Sequence, residues 1–462
     1  MSAPFPGALS IRRYRLQPSM LLLLRFALTV ALFFVGPVLA VPRPARWLLS
    51  ARSHWIDLWT AQPSPAAGSL TGPFNTTTGI LVNTTIRQTL RVTLDAPAIR
   101  IRVSNNFGNQ ALNITRMTVG YPGQSLDPNA TGTSTGTGSP FVQTDSLQSV
   151  TFSGNQSISL PDGALGVSDP ISMPVKSQSQ ISISIYLATG QGGSNITGHL
   201  TSQTTTEAYN ITGGTVLAAN QWYFLSAVEG WLGPEASSFA IVGDSVTDGV
   251  GTTVNANNRW PDQLLERMQS EGDGTARNVA IANEAWNGNK VLLDGSGASG
   301  ISRIERDVLA QSGVAYAMIF EGVNDMGHAD NTVEAQQKIY DSLVQAYSQM
   351  ITRMHTFGIP VFGATITPFN GPNYNVTLGK YSGNIREQYR QKINDWIRSS
   401  GKYDYVVDFD AVVRNSSAPY QINATLGIGD YLHFNPTGYK LMAEAFDLTV
   451  FSMFAGGVDG YE

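Results

Sequence analysis

Residues 238–249 read Ser-Phe-Ala-Ile-Val-Gly-Asp-Ser-Val-Thr-Asp-Gly, an apolar run that ends in a polar turn. A continuous apolar run of this length is typical of a buried parallel strand. Ser245 then lies at a strand-to-helix turn, where Gly243 lets the backbone turn sharply. A hydroxyl at such a turn is exposed, and the N–H groups that follow can face an oxyanion. The stretch alone leaves open that Ser245 only caps the helix.

Further strands and helices alternate behind this turn. Apolar runs occupy 314–320, 359–366 and 405–409, and segments with helical spacing lie at 260–271, 333–355 and 385–399. Strands that alternate with helices predict an α/β domain with a parallel sheet. Ligands of such sheets gather at the carboxyl ends of the strands, so functional residues are expected just after each run.

The sequence before residue 230 has a different residue pattern. Residues 99–103 and 181–187 alternate apolar and polar side chains, and turn residues bound both segments. This period of two is typical of half-buried strands, and the region contains no amphipathic helical pattern of ten or more residues. The sequence therefore predicts an all-β, sandwich-like domain at 41–232, followed by the α/β domain at 233–462.

Composition excludes several classes of protein. With 42% apolar and 10% aromatic residues among 462, the chain can bury a core and is not disordered overall. Lys and Arg number 29 and Asp and Glu 34, and the balance 29 − 34 = −5 argues against a nucleic-acid partner. The chain has no cysteine, which excludes thiol catalysis, thiolate metal sites and disulfide bonds.

The N-terminus resembles a secretory leader. Arginines precede an apolar stretch at 20–40, which Arg25 splits, and the remaining run at 26–35 has the length of a signal-peptide core. Val38 and Ala40 fit the −3 and −1 positions of a cleavage site. We expect a cleaved signal peptide at 1–40 and a secreted, extracellular protein. The alternative is an uncleaved anchor through 20–40, and only in that case is membrane association expected.

Ten Asn-x-Ser/Thr sequons support this interpretation and predict a glycosylated surface. They lie at Asn75, Asn83, Asn113, Asn129, Asn155, Asn195, Asn210, Asn375, Asn415 and Asn423.

A serine nucleophile needs a base, and the chain offers few histidines. They are His54, His199, His328, His355 and His433. In Asp430-Tyr-Leu-His433, the spacing lets the Asp430 carboxylate reach Nδ1 while Nε2 stays free to accept the proton of Ser245. The alternative without a catalytic role is a surface Asp–His pair near the start of a helix. His328 is the reserve candidate, and His199, in the β-rich half, is not expected to be a partner.

Two further polar turns follow strands. Residues 321–325 read Glu-Gly-Val-Asn-Asp, and the Asn324 amide is a fixed neutral donor suited to an oxyanion. Residues 283–290, which read Asn-Glu-Ala-Trp-Asn-Gly-Asn-Lys, form a turn that can supply a further backbone N–H. Each segment alone is common loop chemistry, but their order along one α/β unit is not.

These motifs resemble the GDSL esterase/lipase family, also called SGNH hydrolases, over roughly 239–454. Residues 243–245 match the first block of the family, 322–325 the third and 430–433 the fifth. The second block usually reads Asn-x-Gly, whereas residues 283–285 carry alanine at the third position. Alanine still offers the backbone N–H.

The resemblance implies a flavodoxin-like fold and a serine ester hydrolase without metal or cofactor. In that mechanism Ser245 is the nucleophile, His433 the base and Asp430 the residue that orients the histidine. The oxyanion donors are then the N–H groups of Ser245 and Ala285 and the amide of Asn324.

The expected substrate is an acylated carbohydrate or another small ester with a short acyl group, because no long apolar lid segment is visible. Asp244, Trp286 and Glu321 are candidate substrate contacts. Two alternatives remain at this stage. One is an inactive carbohydrate-binding or cell-surface protein on the same fold, and the other is a glycoside-acting enzyme that uses a carboxylate pair such as Glu321 with Asp430.

Overall fold

The computed structural model describes residues 53–66, 70, 72, 74–124, 136–200, 206–210, 215–295 and 297–460. The predicted leader at 1–40, its anchor alternative and the Asn129 sequon lie outside the described residues. Within these ranges, no helix combines the length and the apolar character that a membrane span requires.

Residues 54–232, called here the β-rich part, pair as antiparallel strands. The strands are β1 His54–Thr60, β2 Ser64–Pro65, β3 Asn75–Thr76, β4 Gly79–Ile80, β5 Thr84–Arg91, β6 Ile99–Ser104, β7 Leu112–Ile114, β8 Arg116–Gly120, β9 Gln148–Val150, β10 Ile158–Leu160, β11 Leu165–Val167, β12 Gln180–Leu187, β13 Thr197–Leu200, β14 Thr206–Asn210, β15 Thr215–Ala219, β16 Gln221–Tyr223 and β17 Leu225–Leu232. A short 3₁₀ turn lies at Thr144–Ser146.

Two larger sheets dominate this part. One has the order β1-β17-β6-β11 and the other the order β15-β14-β5-β12-β8-β9. The chain closes the first sheet over a long sequence separation, because His54 of β1 lies opposite Leu232 of β17. Apolar residues of both sheets, such as Ile101 and Ile183, belong to one buried cluster. The predicted antiparallel, strand-rich character of this region is confirmed, and the sandwich-like arrangement stays a prediction.

Residues 237–453 form the predicted α/β part. Its elements are β18 Ser237–Gly243, α1 Ser245–Asp248, α2 Trp260–Ser270, β19 Val279–Ala285, α3 Gly300–Ile304, β20 Val314–Phe320, α4 Val323–His328, α5 Val333–His355, β21 Val361–Ala364, α6 Asn384–Ser399, β22 Tyr405–Val407, α7 Phe409–Val413, β23 Arg414–Asn415, β24 Ala418–Ile422, α8 Pro436–Glu444 and α9 Val450–Met453. A π-helical turn at Glu305–Leu309 and 3₁₀ turns at Ala276–Asn278 and Pro372–Tyr374 complete it.

The sheet of this part is parallel, with the order β19-β18-β20-β21-β22. The interior strand β18 is buried on both faces: Phe239 and Ile241 pack in one apolar layer, and Ala240 and Val242 pack in the other. This double burial explains the continuous apolar run. The strand predicted at 405–409 is shorter in the structure and ends at Val407. The Asp408 carboxylate accepts the Ala411 N–H and caps α7, which begins at Phe409.

Strand β1 of the β-rich part packs beside the α/β part. The Asp57 carboxylate accepts the Ser312 N–H at 2.7 Å, and the Thr60 hydroxyl donates to the carbonyl of Asn283 at 3.3 Å. Burial raises the pKa of Asp57 to about 7, although Arg102 opposes the rise. Residues 52–462 form one compact unit. The boundary between 41–232 and 233–462 stays a prediction.

The sequon asparagines whose side chains the structure describes are exposed or partly exposed. Exposed ones are Asn75, Asn113, Asn155, Asn375 and Asn423, and partly exposed ones are Asn83, Asn195 and Asn415. Glycosylation at these positions stays a prediction.

Candidate active site

Ser245 begins α1 directly after strand β18 and the capping residue Asp244. The Asp244 carboxylate caps this helix by accepting the Val246 N–H at 3.0 Å. A Cβ at Gly243 would lie 2.7 Å from the Thr247 hydroxyl and 3.1 Å from the carbonyl oxygen of Phe320. The turn therefore requires glycine at 243, and it presents Ser245 at the carboxyl edge of the sheet.

His433 and Asp430 meet Ser245 in a hydrogen-bonded row. The Ser245 Oγ lies 2.8 Å from His433 Nε2, and His433 Nδ1 lies 2.5 Å from Asp430 Oδ2. The other carboxylate oxygen of Asp430 accepts the backbone N–H groups of Leu432 and His433. Burial favours the neutral acid, but the bonds from His433 outweigh it and lower the pKa of Asp430. The predicted Asp-x-x-His spacing therefore places both side chains in line with the serine.

This row opens on a cavity of about 550 Å³. Asn324 lines the cavity in a fixed orientation, since its Oδ1 accepts the Tyr381 hydroxyl at 2.8 Å and its Nδ2 donates to the carbonyl of Asn289 at 2.8 Å. An amide nitrogen carries two hydrogens. Within the described part of the chain, the second hydrogen of Asn324 Nδ2 has no acceptor, so it remains available toward the cavity.

The expected role of Ala285 needs correction. Ala285 is fully buried and lies outside the cavity lining, and its N–H donates to Asn283 Oδ1 at 3.1 Å. Gly288 lines the cavity instead, at φ +78°, and its N–H has no acceptor among the residues described. The Asn-Gly pair at 287–288 was the sequence signal for this turn.

The three candidate substrate contacts are also corrected. Asp244, Trp286 and Glu321 are each at most 3% exposed, and none lines the cavity. Asp244 caps α1, and Trp286 packs edge-on against His199 with ring centres 5.2 Å apart. Glu321 lies 3.7 Å from Arg303 beneath the strand ends, where burial raises its pKa to about 8. These three side chains therefore stabilise the site from the protein interior.

A family model matches the part of the chain that carries this site. Residues 239–446 match the family model described as GDSL-like Lipase/Acylhydrolase. They form a GDSL-like acylhydrolase domain. No curated protein matches the chain at a significant level.

Several solved structures resemble this acylhydrolase domain at low identity. The acetyl xylan esterase AlAXEase is 19% identical with a TM-score of 0.33, over 45% of this chain and 96% of that one. A GDSL-like lipase from Bacteroides thetaiotaomicron is 15% identical with a TM-score of 0.31, over 46% and 85%. A variant of the acetyl xylan esterase Axe2 from Geobacillus stearothermophilus is 16% identical with a TM-score of 0.34, over 46% and 94%.

A buried arginine joins the strand ends of the acylhydrolase domain. The Arg303 guanidinium donates to the carbonyl of Gly243 at 3.2 Å, to that of Glu284 at 2.5 Å and to Asn289 Oδ1 at 2.8 Å. Its charge pairs with Asp307 at 3.0 Å, and both side chains are fully buried. No motif or spacing in the sequence pointed to Arg303, which holds both turns that follow β18 and β19.

His199 lies closer to the site than the sequence suggested. Its Nε2 is 2.9 Å from Asp248 Oδ1, and its Nδ1 is 2.8 Å from the carbonyl oxygen of Gln62. His328, the reserve base, lies at the cavity with Nδ1 2.8 Å from the Asn324 carbonyl. Among the described residues, no group of three His, Asp or Glu side chains could hold a metal ion.

We expect Arg303→Gln to lower the free energy of unfolding by about 3–5 kcal/mol, because the change removes a buried charge that pairs with Asp307, leaving that carboxylate with Arg306 alone, and takes away buried donors to the carbonyl oxygens of Gly243 and Glu284. Urea unfolding followed by tryptophan fluorescence measures the change. The control is Arg353→Gln, whose pair with Glu305 is exposed and should leave the unfolding midpoint near wild type. Equal midpoints for the two variants would contradict this role for Arg303.

Proposed function

We propose that the chain is a secreted serine ester hydrolase that removes short acyl groups, such as acetyl, from carbohydrate esters. The observation that carries the proposal is the row Asp430, His433 and Ser245, which opens on a cavity with unused hydrogen-bond donors. An intact nucleophile, base and orienting carboxylate in one line is the arrangement that acyl transfer to serine requires.

The proposed mechanism has two halves. Asp430 accepts a hydrogen bond from the Nδ1–H of His433, which keeps that proton on Nδ1, so the lone pair of Nε2 faces the hydroxyl of Ser245. His433 removes the hydroxyl proton while Ser245 Oγ bonds to the acyl carbon. The same proton passes to the leaving alkoxide as the ester C–O bond breaks, which leaves an acyl-enzyme. Water then attacks the acyl carbon by the same route and releases the acid and the free serine.

The tetrahedral intermediate carries a negative oxygen that needs donors. We assign this role to the N–H groups of Ser245 and Gly288 and to the second N–H of Asn324. Support comes from their shared position at the cavity and from the absence of an acceptor for each within the described ranges. The carbonyl oxygen of Asn289 strengthens the assignment, since it can only accept and therefore fixes which end of the Asn324 amide carries the nitrogen, while the Tyr381 hydroxyl donates to the other end.

The proposed substrate class follows from the size and walls of the cavity. About 550 Å³, bounded on its apolar side by Phe369, Tyr381 and Leu432, suits a small acyl group on a sugar. A glycoside-acting mechanism is disfavoured, because Asp430 is the only carboxylate that lines this cavity in the described chain and Glu321 is buried outside it. Secretion is supported by the leader-like N-terminus and the exposed sequons.

We expect Ser245→Ala and His433→Ala each to lower kcat for p-nitrophenyl acetate by at least about 10³-fold. The double variant should cost little more, because the two residues act as one unit. Steady-state kinetics on folded preparations measure the effect, with p-nitrophenyl glycosides as substrates that should stay uncleaved. If His433→Ala kept its kcat while His328→Ala lost it, the assignment of the base would be wrong.

A second variant tests the oxyanion donors. Asn324→Ala should lower kcat by about 10²–10³-fold, or about 3–4 kcal/mol, with KM nearly unchanged, because the donor acts mainly in the transition state. Kinetics and thermal unfolding on one preparation separate this outcome from a structural effect. A variant that melts earlier but turns over at the normal rate would remove Asn324 from the mechanism.

A further inference from the structure

His199 and Asp248 form a buried pair between the β-rich part and the acylhydrolase domain. His199 belongs to β13, whereas Asp248 ends α1, three residues after Ser245. Their side chains are 6% and 3% exposed, and the ring nitrogen Nε2 lies 2.9 Å from Asp248 Oδ1. No residue of this pair lines the cavity, so it does not touch a substrate.

The groups around His199 determine which of its ring nitrogens carries a hydrogen. The carbonyl oxygen of Gln62, 2.8 Å from His199 Nδ1, can only accept, so Nδ1 carries a hydrogen and donates it. Nε2 and Asp248 Oδ1 must then share one further proton, either on the ring or on the carboxyl group. In both cases the ring is held at two points, and the Asp248 carboxyl group is held by the ring.

Asp248 and His199 together hold the turn that presents Gly288. The second carboxylate oxygen of Asp248 accepts the N–H of Asn287 at 3.2 Å. The ring of Trp286 meets the His199 ring edge-on, with an angle of 85° between the planes. The two residues directly before Gly288 therefore both rest on this pair.

We propose that His199 is a positioning residue for the oxyanion-stabilising N–H of Gly288, so that the β-rich part completes the active site. This inference rests on the ester hydrolysis proposed above. A displaced donor stabilises the transition state less well but hardly changes the binding of the substrate. The role therefore predicts a loss in kcat with KM nearly unchanged.

His199→Phe tests the role, since phenylalanine keeps an aromatic ring beside Trp286 but forms neither hydrogen bond. We expect kcat for p-nitrophenyl acetate to fall by about 10²-fold. Asp248→Asn should stay near wild type, because its amide can donate to a neutral Nε2 while its oxygen still accepts the Asn287 N–H. Asp248→Ala, which loses both contacts, should resemble His199→Phe.

The matched control is His355→Phe. His355 also pairs with a carboxylate, Asp404, at 2.8 Å. Asp404 accepts the N–H of Val361, the first residue of β21, so this pair lies at the amino end of the strand and not at the carboxyl edge that carries the site. This variant should keep its kcat. Hydrogen exchange of the peptide that covers 283–290 provides a readout without catalysis, and it should quicken in His199→Phe and Asp248→Ala but not in His355→Phe.

Unchanged exchange of 283–290 in His199→Phe would overturn the positioning role, and so would equal kcat losses in His199→Phe and His355→Phe. A wild-type protein that hydrolyses no ester would instead overturn the proposed function, and the exchange experiment would still decide the role of His199.

A different observation concerns the charge of the cavity wall. Of the seven lysines in this chain of net charge −5, Lys290 and Lys380 both line the cavity, and His328 lies beside them. Neither lysine lies within ion-pair distance of a carboxylate in the described part of the chain. Asp430 is already bound to His433. Lys290 interacts electrostatically with the buried Asp325 carboxyl group, but no direct ion pair in the described chain occupies either ammonium group, so both can bind an anion that enters the cavity.

We infer that the carbohydrate substrate carries carboxylates, as an acylated polyuronate does, and that Lys290 and Lys380 bind them. This deepens the proposed function and depends on it. A lysine ammonium forms charge-assisted hydrogen bonds to carboxylate, and such attraction weakens as salt screens it. The wild-type kcat/KM for acetylated polygalacturonate should therefore exceed that for acetylated xylan and decline with ionic strength.

The test is the double variant Lys290→Gln/Lys380→Gln. We expect the ratio of kcat/KM for acetylated polygalacturonate to that for p-nitrophenyl acetate to fall about tenfold or more. Lys402→Gln, an exposed lysine outside the cavity, should leave the ratio unchanged. Binding of unacetylated polygalacturonate to Ser245→Ala should weaken on adding the two lysine changes. An unchanged ratio with unchanged binding would overturn the inference, whereas loss of p-nitrophenyl acetate hydrolysis in wild type would overturn the proposed function.

Discussion

The buried guanidinium of Arg303 is the contact on which the rest of the site depends. It holds the carbonyl oxygens at the ends of β18 and β19 and the side chain of Asn289. The carbonyl of Asn289 in turn accepts the amide of Asn324. One cation therefore links the strand that carries the serine, the turn that carries Gly288 and the helix that carries Asn324. An arginine suits this place, because its planar donors reach several acceptors at fixed angles.

Much of the architecture could be predicted from local pattern. The run at 238–242 is apolar on both faces because both faces are buried, and the helical spacing at 333–355 matches α5. Parallel strands bring their carboxyl ends to one edge, so residues that follow different strands in sequence meet in space. Ser245 and Asn324 follow from that rule. His433 could be identified as the base because the chain has few histidines and because Asp430 lies three residues before it. Both facts can be read directly from the sequence.

The sequence could not show how each turn rotates after its strand. Ala285 and Gly288 both offer an N–H within one polar turn, and tertiary contacts of this turn, such as that between Trp286 and His199, place Gly288 and not Ala285 in the cavity lining. Glu321 directly follows an apolar strand, yet its side chain lies below the edge beside Arg303. His199 is 46 residues before Ser245 in sequence and belongs to another sheet, so no periodicity or motif connects the two. Such contacts depend on tertiary packing, which short-range patterns do not encode.

The pairing of β1 with β17 has a consequence for how the protein is made. His54 meets Leu232, so the first strand emerges from the ribosome long before its partner exists. Closing a loop of this length is slow compared with local structure formation. During synthesis β1 therefore has an open edge, and the first sheet can be completed only when the start of the α/β part is already being translated. Folding of the two parts is thus coupled in time, and assembly factors that cover exposed strand edges have a defined interval in which to act.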